Sequence, residues 1–353
     1  MKQKTTKFIP GTIRIKSDNL KPVIRTEKSW KRIKFDTTNI LKIVNLYKSH
    51  DNFEILKDTN NPIFLKGQLT PDKIVRGQRI NILPNQKELT KAFSLFSPNL
   101  TIHNQTTNTH WDVIYQNPNG QFAYIYTKEK EQKSKNNKYK KVEEFERILP
   151  KLQKNLGLAL QNNEPLALPM ITLLATYMRV GNEMYYKRDG HKGLTTLKKS
   201  DVKIRNPTVT FSFLAKDGIP QKITKNFLPV YIIKLQKKLN KLQKNNFIFT
   251  NKTGHPLKDT EFEEAFLKYS GITFYPHIVR SYYATKTTKE FLKQNPVPTK
   301  EQIKELYTTI ADTLGHKKFS KKKNEWQTSY TVTVAHYIQP KLVEKINNLL
   351  TKN

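Results

Sequence analysis

The chain has 353 residues, with 63 lysines and arginines against 29 aspartates and glutamates, and its formal net charge is +34. This length predicts at least one full hydrophobic core and favours two domains. So large a positive charge is typical of a protein that binds a polyanion, because neutralising phosphates releases condensed counterions. The chain contains no cysteine, which excludes disulfides, zinc–thiolate sites and thiol catalysis.

An anionic membrane surface is the alternative partner for such a charge. No apolar stretch approaches the roughly 18–20 residues of a spanning helix, and the basic residues are spread along the whole chain, so we expect no membrane association. The segment Met1–Lys16 lacks the continuous apolar core of a secretory signal. We therefore expect an intracellular protein.

From Met1 to about Thr127 the sequence reads as short β segments separated by turn residues. The clearest segments are Thr12–Ile15, Ile63–Lys66, Trp111–Gln116 and Gln121–Tyr126, of which the last two are joined by Asn117-Pro118-Asn119-Gly120 as a predicted hairpin. A lysine-rich run follows at Lys128–Lys141. Charge runs are usually solvated, so this pattern favours a basic linker over a DNA-contacting element.

Beyond this run the apolar residues recur at helical spacing. Helices are predicted at Val142–Leu152, Leu166–Met178, Pro229–Leu242, Thr260–Lys268, Pro276–Leu292 and Lys300–Leu314, with β alternation at Leu194–Ile223. The sequence thus predicts an α+β fold. A small β-rich N-terminal domain would cover residues 1–130, and a mainly helical domain with a small sheet would cover residues 131–353.

Five side chains of the second domain have types that suit chemistry at a phosphodiester. They are Arg179 after an apolar run, Lys216 in a turn, Arg280 in a helix, His316 after a glycine, and the late Tyr337. Taken singly, each fits an ordinary structural role, such as a helix cap or an exposed turn. Their order along the chain is what points to a shared function.

The chemistry explains why these types belong together. Attack on a phosphodiester builds charge on its non-bridging oxygens, which arginines and a histidine can stabilise. A lysine can protonate the leaving 5′-oxygen. Tyrosine is the nucleophile, and the phosphotyrosine retains the bond energy, so rejoining needs no ATP. We expect neither a metal ion nor a nucleotide cofactor, because the cations replace the metals of nucleases and no Gly-rich loop ends in Gly-Lys-Ser/Thr.

Six short segments carry a resemblance to a known family. They are Arg179-Val180-Gly181-Asn182-Glu183 with Tyr185, Gly193-Leu194-Thr195-Thr196-Leu197, Phe213-Leu214-Ala215-Lys216-Asp217-Gly218, Ile278-Val279-Arg280-Ser281-Tyr282, Leu314-Gly315-His316 and Tyr337-Ile338-Gln339-Pro340. In types and order they resemble the catalytic domain of type IB DNA topoisomerases, in the compact form found in poxviruses, giant viruses and bacteria. The resemblance covers about residues 142–350, and a weaker similarity is present at Trp111–Tyr126.

This resemblance implies an enzyme that relaxes supercoiled DNA through a 3′-phosphotyrosyl intermediate, without ATP or metal. Arg179 and Arg280 would be the paired arginines, Lys216 the general acid, His316 the phosphate-binding histidine and Tyr337 the nucleophile. It also implies a monomer that acts on double-stranded DNA, in a nucleus, a nucleoid, a viral factory or a virion. From the order of the two domains and the basic run between them, we expect a C-clamp that closes around the duplex. We further expect DNA contacts from His277, Tyr185, Lys317, Lys318 and Lys321.

Two features depart from the family pattern. The segment Lys317–His336 separates the histidine from the tyrosine and reads as an inserted loop, which leaves Tyr330 as an alternative nucleophile. Tyr337 is preferred because it directly precedes an apolar-periodic helix. Compact topoisomerases often carry a lysine three residues before the second arginine, where this chain has His277.

Two other functions stay open. His-x-x-Arg followed by Leu-Gly-His is also the pattern of tyrosine recombinases, which share the fold and the cleavage chemistry, so site-specific strand exchange is the alternative. A non-catalytic DNA-packaging protein would fit the charge, but it has no use for the ordered set of catalytic residue types.

Overall fold

The computed structural model describes residues 9–103 and 110–351. The chain divides into two compact units, Met1–Asn137 and Lys138–Asn353. The first eight residues of the Met1–Lys16 segment lie outside the described residues. The domain boundary predicted after residue 130 stays a prediction.

The first unit is rich in short antiparallel strands, as predicted. They are β1 Ile13–Ile15, β2 Pro22–Arg25, β3 Trp30–Arg32, β4 Gln68–Leu69, β5 Val75–Arg76, β6 Ile80–Ile82, β7 Glu88–Phe93, β8 Thr101–Ile102, β9 Val113–Gln116 and β10 Phe122–Ile125. Among the described residues, one sheet has the order β3-β2-β1-β4-β5, a second has the order β10-β9-β8, and β6 pairs with β7. The predicted hairpin is confirmed, since β9 and β10 pair with Gln116 opposite Phe122.

Two features of this unit differ from the sequence interpretation. The segment Ile63–Lys66 makes only isolated bridges, and its prediction as a strand is wrong. Helix α1, Thr38–Lys48, was not predicted. Its buried residues Ile40, Ile43, Val44 and Tyr47 recur at helical spacing, which is the signal that could have found it.

The lysine-rich run Lys128–Lys141, predicted as a basic linker, contains the boundary between the two units and is helical. It forms the first turns of helix α2, Lys128–Gln161. Within the first unit, Lys130 bonds the Asp112 carboxylate at 2.8 Å, and from the buried Tyr139 onward the helix has an apolar face. These contacts stabilise a helix that local charge density alone does not predict.

The second unit is mainly helical with small sheets, which confirms the predicted α+β class. Its helices are α3 Ala167–Thr176, α4 Glu183–Asp189, α5 Pro229–Asn240, α6 Asp259–Ser270, α7 Ile278–Gln294, α8 Lys300–Thr313, α9 Thr331–His336 and α10 Pro340–Thr351. Its strands are β11 Val202–Arg205, β12 Thr208–Leu214, β13 Pro220–Asn226, β14 Lys317–Ser320 and β15 Glu325–Thr328. Strands β11, β12 and β13 pair antiparallel in chain order.

The segment between the histidine and the tyrosine is not an irregular loop. Lys317–Ser320 and Glu325–Thr328 pair as an antiparallel hairpin, and α9 follows it. The predicted strand region Leu194–Ile223 begins with two short 3₁₀ turns before β11.

Buried side chains of the second unit form two hydrophobic clusters. The larger lies between α2, α3, the β11–β13 sheet, α5 and α6. The smaller involves α7, α8 and α10, and it contains Tyr337 and Ile338. The candidate nucleophile is therefore part of a packed core. Over the two described ranges, no helix has both the length and the apolar character needed to cross a membrane.

Candidate active site

Arg179 lies where the chain leaves helix α3. The helix ends at Thr176, and Tyr177 adopts a left-handed conformation with φ 56° and ψ 22°. This turn ends the helical path, and two residues later the Arg179 side chain is exposed. The sequence prediction of an arginine at the end of an apolar helix is confirmed.

The glycine-containing segment after α4 fixes the main chain of Arg179. Leu194 N–H donates to the Arg179 carbonyl at 2.8 Å, and Thr195 N–H donates to the Val180 carbonyl at 2.7 Å. A Cβ atom at position 193 would lie 2.7 Å from the carbonyl oxygen of Arg179. Only Gly193 permits this approach, which explains in physical terms why the two halves of the motif occur together.

Arg280 is held in the first turn of α7. Its side chain is buried, with 3% of the residue exposed. Nη1 donates to the Tyr177 carbonyl at 2.6 Å, and Nη2 donates to the Leu314 carbonyl at 2.8 Å. Burial lowers the pKa of Arg280 to about 10, so it stays charged at neutral pH. Its buried Nε–H has no acceptor among the residues that the structure describes.

His316 follows the C-terminus of α8 through Gly315, whose φ is +68°. Its Nε2 lies 3.0 Å from Nη2 of Arg280, and its Nδ1 lies 2.8 Å from Thr333 Oγ1. Because arginine can only donate, Nε2 accepts this bond and Nδ1 carries the proton. Burial, reinforced by nearby Arg280, lowers the pKa of His316 to about 3, so the imidazole is neutral.

Tyr337 brings these groups together. Its residue is 4% exposed. Its hydroxyl accepts a hydrogen bond from Arg179 Nη2 at 3.3 Å and lies 2.7 Å from His277 Nε2. The guanidinium carbon of Arg280 is 5.3 Å from the centre of the phenol ring, and the His316 ring centre is 4.8 Å from it.

His277 makes a contact that the sequence interpretation did not predict. Its predicted DNA contact stays a prediction, and in the structure its Nε2 lies 2.7 Å from the tyrosine hydroxyl. Burial, followed by the charge of Arg280, lowers the pKa of His277 to about 3. A neutral imidazole can accept the phenol proton, while Arg179 donates to the same oxygen. The spacing of His277 and Arg280 places both side chains on one face at the start of α7, but it does not indicate that the tyrosine lies there.

Lys216 lies at the turn between β12 and β13, where Asp217 has a left-handed φ of 63°. Its side chain is exposed. It lines a cavity of about 530 Å³ within the second unit. The other cationic or titratable residues predicted for the site that line this cavity are Arg179, Arg280, His316, Lys317 and Lys318.

The remaining residues predicted for the site are not among those that line this cavity. Tyr185 is exposed on α4, beneath the Arg188 guanidinium at 5.2 Å. Lys321 is exposed in the turn after β14. Tyr330, the alternative nucleophile, has its ring centre 5.8 Å from that of Tyr307. The functional roles of all these residues stay predictions.

Within the two described ranges, no group of three or more histidine, aspartate or glutamate side chains has the geometry to hold a metal ion. The cluster instead gathers arginines and histidines around one tyrosine hydroxyl. Such donors suit a phosphodiester, because arginine presents a planar, permanently charged fork to phosphate oxygens.

The sequence comparison gives the family. The family model described as "Eukaryotic DNA topoisomerase I, catalytic core" matches residues 127–346. The match covers more than half of the chain, and the chain therefore belongs to the DNA topoisomerase I catalytic-core family. The family resemblance predicted from the sequence is confirmed.

Individual relatives are more distant. The chain is 25% identical over 227 residues to "DNA topoisomerase 1B" of Acanthamoeba polyphaga mimivirus, and the alignment covers 63% of this chain and 62% of the viral protein. Two structures of the XerH site-specific recombinase are also similar. The post-cleavage complex with palindromic difH substrate has 14% identity and a TM-score of 0.36 over 56% of this chain and 50% of that one. The pre-cleavage complex with difH substrate has 16% identity and a TM-score of 0.33 over 56% and 52%. The chain thus spans less than two thirds of the length of each relative.

Proposed function

We propose that this chain is a type IB DNA topoisomerase that relaxes supercoiled duplex DNA by transient cleavage of one strand, and that it does so as a monomer without ATP or metal. Membership of the DNA topoisomerase I family and the net charge of +34 support DNA as the substrate. The observation that carries the proposal is the environment of Tyr337, whose hydroxyl contacts Arg179 and His277 and whose ring lies beside Arg280 and His316.

Cleavage begins when the Tyr337 oxygen attacks a backbone phosphorus. A new bond forms between phosphorus and the phenol oxygen, and the bond from phosphorus to the 5′-oxygen breaks. The phenol proton passes to neutral His277. Lys216 supplies a proton to the leaving 5′-oxygen, so the products are a 3′-phosphotyrosine and a free 5′-hydroxyl.

The arginines stabilise the charge that grows on the non-bridging oxygens. The buried Nε–H of Arg280 lacks an acceptor among the described residues, and a phosphate oxygen could supply one. His316 accepts a bond from Arg280 in the DNA-free protein. A bound phosphate would raise the pKa of His316 and allow its Nε2 to donate instead. Attack by the 5′-hydroxyl on the phosphotyrosine reverses each step and restores the strand.

The direct test uses supercoiled plasmid in EDTA without nucleotide. We expect the wild type and Tyr330→Phe to give ladders of relaxed topoisomers, and Tyr337→Phe to give none. An inactive wild type that binds DNA tightly would favour a packaging protein and overturn the proposal. Activity lost only in Tyr330→Phe would show that the nucleophile is Tyr330.

A tyrosine recombinase is the second candidate, since the His277–Arg280 spacing matches the recombinase pattern and His277 contacts the phenol. The chemistry at the phosphorus is the same, but the product is not. Recombined products that require two specific sites would favour this candidate. Relaxation of plasmids of unrelated sequence favours the topoisomerase.

A further inference from the structure

Side chains hold the main chain on both sides of Tyr337. Lys138 Nζ donates to the carbonyl of His336. Thr285 Oγ1 donates to the carbonyl of Tyr337 at 3.3 Å, and Tyr139 Oη donates to the carbonyl of Ile338 at 2.7 Å. Three consecutive carbonyls therefore each receive a side-chain donor, two from neighbouring residues of α2 and one from α7.

These donors occur where the main chain needs them. Helix α9 ends at His336, and the last carbonyls of a helix have no intrahelical partner. Tyr337 and Ile338 are 4% and 1% exposed, so water has little access. Buried carbonyls without donors are costly, and Thr285 and Tyr139 remove that cost at Tyr337 and Ile338, while Lys138 adds a donor at the exposed His336.

Because these donors hold the main chain around Tyr337, they bear on the position of its phenol ring. Lys138 Nζ, which donates to the carbonyl of His336, is also 5.3 Å from the centre of the Tyr337 ring. Burial raises the pKa of the Tyr139 hydroxyl, so it remains a protonated donor. Burial lowers the pKa of Lys138 to about 8. Either protonation state of the lysine keeps an N–H for the carbonyl of His336.

We propose that Lys138 and Tyr139 are positioning residues that hold the Tyr337 segment so that its hydroxyl stays between Arg179 and His277. The inference rests on the proposed function, in which Tyr337 is the nucleophile. Neither residue touches the phenol oxygen, so they act through the main chain. A displacement of about 1 Å at a reacting atom can cost on the order of 100-fold in rate, so removal of one of several donors should give a smaller but measurable loss.

The test is single-turnover formation of the covalent protein–DNA complex on a duplex that loses its cleaved end, with protein in excess. Tyr139→Phe removes only the hydroxyl, and Lys138→Met keeps most of the apolar stem. We expect the rate constant to fall about 10-fold in each variant, with unchanged DNA affinity and final yield. Lys138→Arg should recover much of the rate, because it restores a donor. Lys140→Met, an exposed neighbour on the same helix, is the matched control and should match the wild type.

The outcomes separate this inference from the proposed function. If the wild type forms no covalent complex, the proposed function fails. If the wild type reacts and both variants react at its rate, only the positioning role is overturned. A loss of yield in proportion to a loss of folded protein, with an unchanged rate constant, would also overturn it, because a merely structural role lowers the amount of active protein and not its speed.

Discussion

The first turn of α7 and the β12–β13 hairpin each contribute a cation to the same cavity, Arg280 and Lys216. The two cations differ in their exposure to solvent. Arg280 is 3% exposed and bonded to two main-chain carbonyls, whereas Lys216 is exposed at a turn. Two hydrogen bonds fix the buried arginine without DNA, while the lysine is open to solvent. We infer that one side of the site is preorganised and the other is completed when the substrate binds.

The largest expected effect comes from replacing each arginine and comparing rate with stability. Arg280→Ala and Arg179→Ala should each slow strand cleavage on the order of 10²–10³-fold, because each removes a donor to the transition-state charge. Only Arg280→Ala should also lower the free energy of unfolding, by about 2 kcal/mol, since it leaves the carbonyls of Tyr177 and Leu314 without donors. Single-turnover cleavage and thermal unfolding measure the two quantities. Equal unfolding temperatures for the two variants would contradict the inference that Arg280 is preorganised.

Lys216→Ala tests whether the lysine on the β12–β13 hairpin is the general acid. We expect cleavage of ordinary DNA to slow on the order of 10²-fold, because the leaving 5′-oxygen loses its proton donor. A substrate with a 5′-thiolate leaving group needs no proton and should be cleaved at close to the wild-type rate. Lys222→Ala, on exposed β13 of the same hairpin, is the control. Equal slowing on both substrates would refute the general-acid role.

The two buried histidines of the site should also make the stability of the protein depend on pH. His277 and His316 have pKa values lowered from 6.5 to about 3 by burial, so below pH 6.5 the unfolded chain binds protons that the folded protein does not. Stability should therefore fall as the pH drops from 6.5 toward 3, with a slope of up to about 1.4 kcal/mol per pH unit for each histidine.

Denaturant unfolding of the DNA-free protein between about pH 7.5 and pH 5 measures this slope before most carboxylates titrate. His277→Gln should reduce it, whereas His50→Gln, at an exposed position, should not. A flat profile in the wild type would mean that the two histidines are not held neutral.

The smallest effect is expected from a cation at the rim of the cavity. Lys318 is exposed and lines the cavity, so Lys318→Ala should weaken DNA binding a few-fold and reduce the salt slope of the affinity by about 1. Binding titrations at several salt concentrations give both values. Lys237→Ala, exposed on α5, serves for comparison. If both variants lose affinity equally, the contact at Lys318 is not specific to the site.

Much of the fold follows from local pattern. Helices α3, α5, α6, α7 and α8 lie within a few residues of their predicted bounds, because apolar spacing is a local signal, whereas the short helices α4 and α9 were not predicted. The helical form of the start of α2 was not predicted, since the decisive contacts, from Lys130 to Asp112 and at the buried Tyr139, are tertiary. The hairpin within Lys317–His336 was missed because its strands carry mainly polar residues.

The site was predictable in its residue types but not in its contacts. The predicted arginines, histidine and tyrosine lie close together, and Lys216 lines the adjoining cavity, while their roles stay predictions. The contact between His277 and the Tyr337 hydroxyl depends on how α7 packs against the chain after α9, and sequence spacing does not give that distance. The donors from Lys138 and Tyr139 were hidden for the same reason.

The most direct measurement is the identity of the residue that carries DNA during cleavage. The covalent complex is trapped with denaturant, digested with protease and nuclease, and analysed by mass spectrometry. The account predicts a nucleotide joined through its 3′-phosphate to the phenol oxygen of Tyr337. A nucleotide on Tyr330 or any other residue, or a 5′-phosphate linkage, would contradict it.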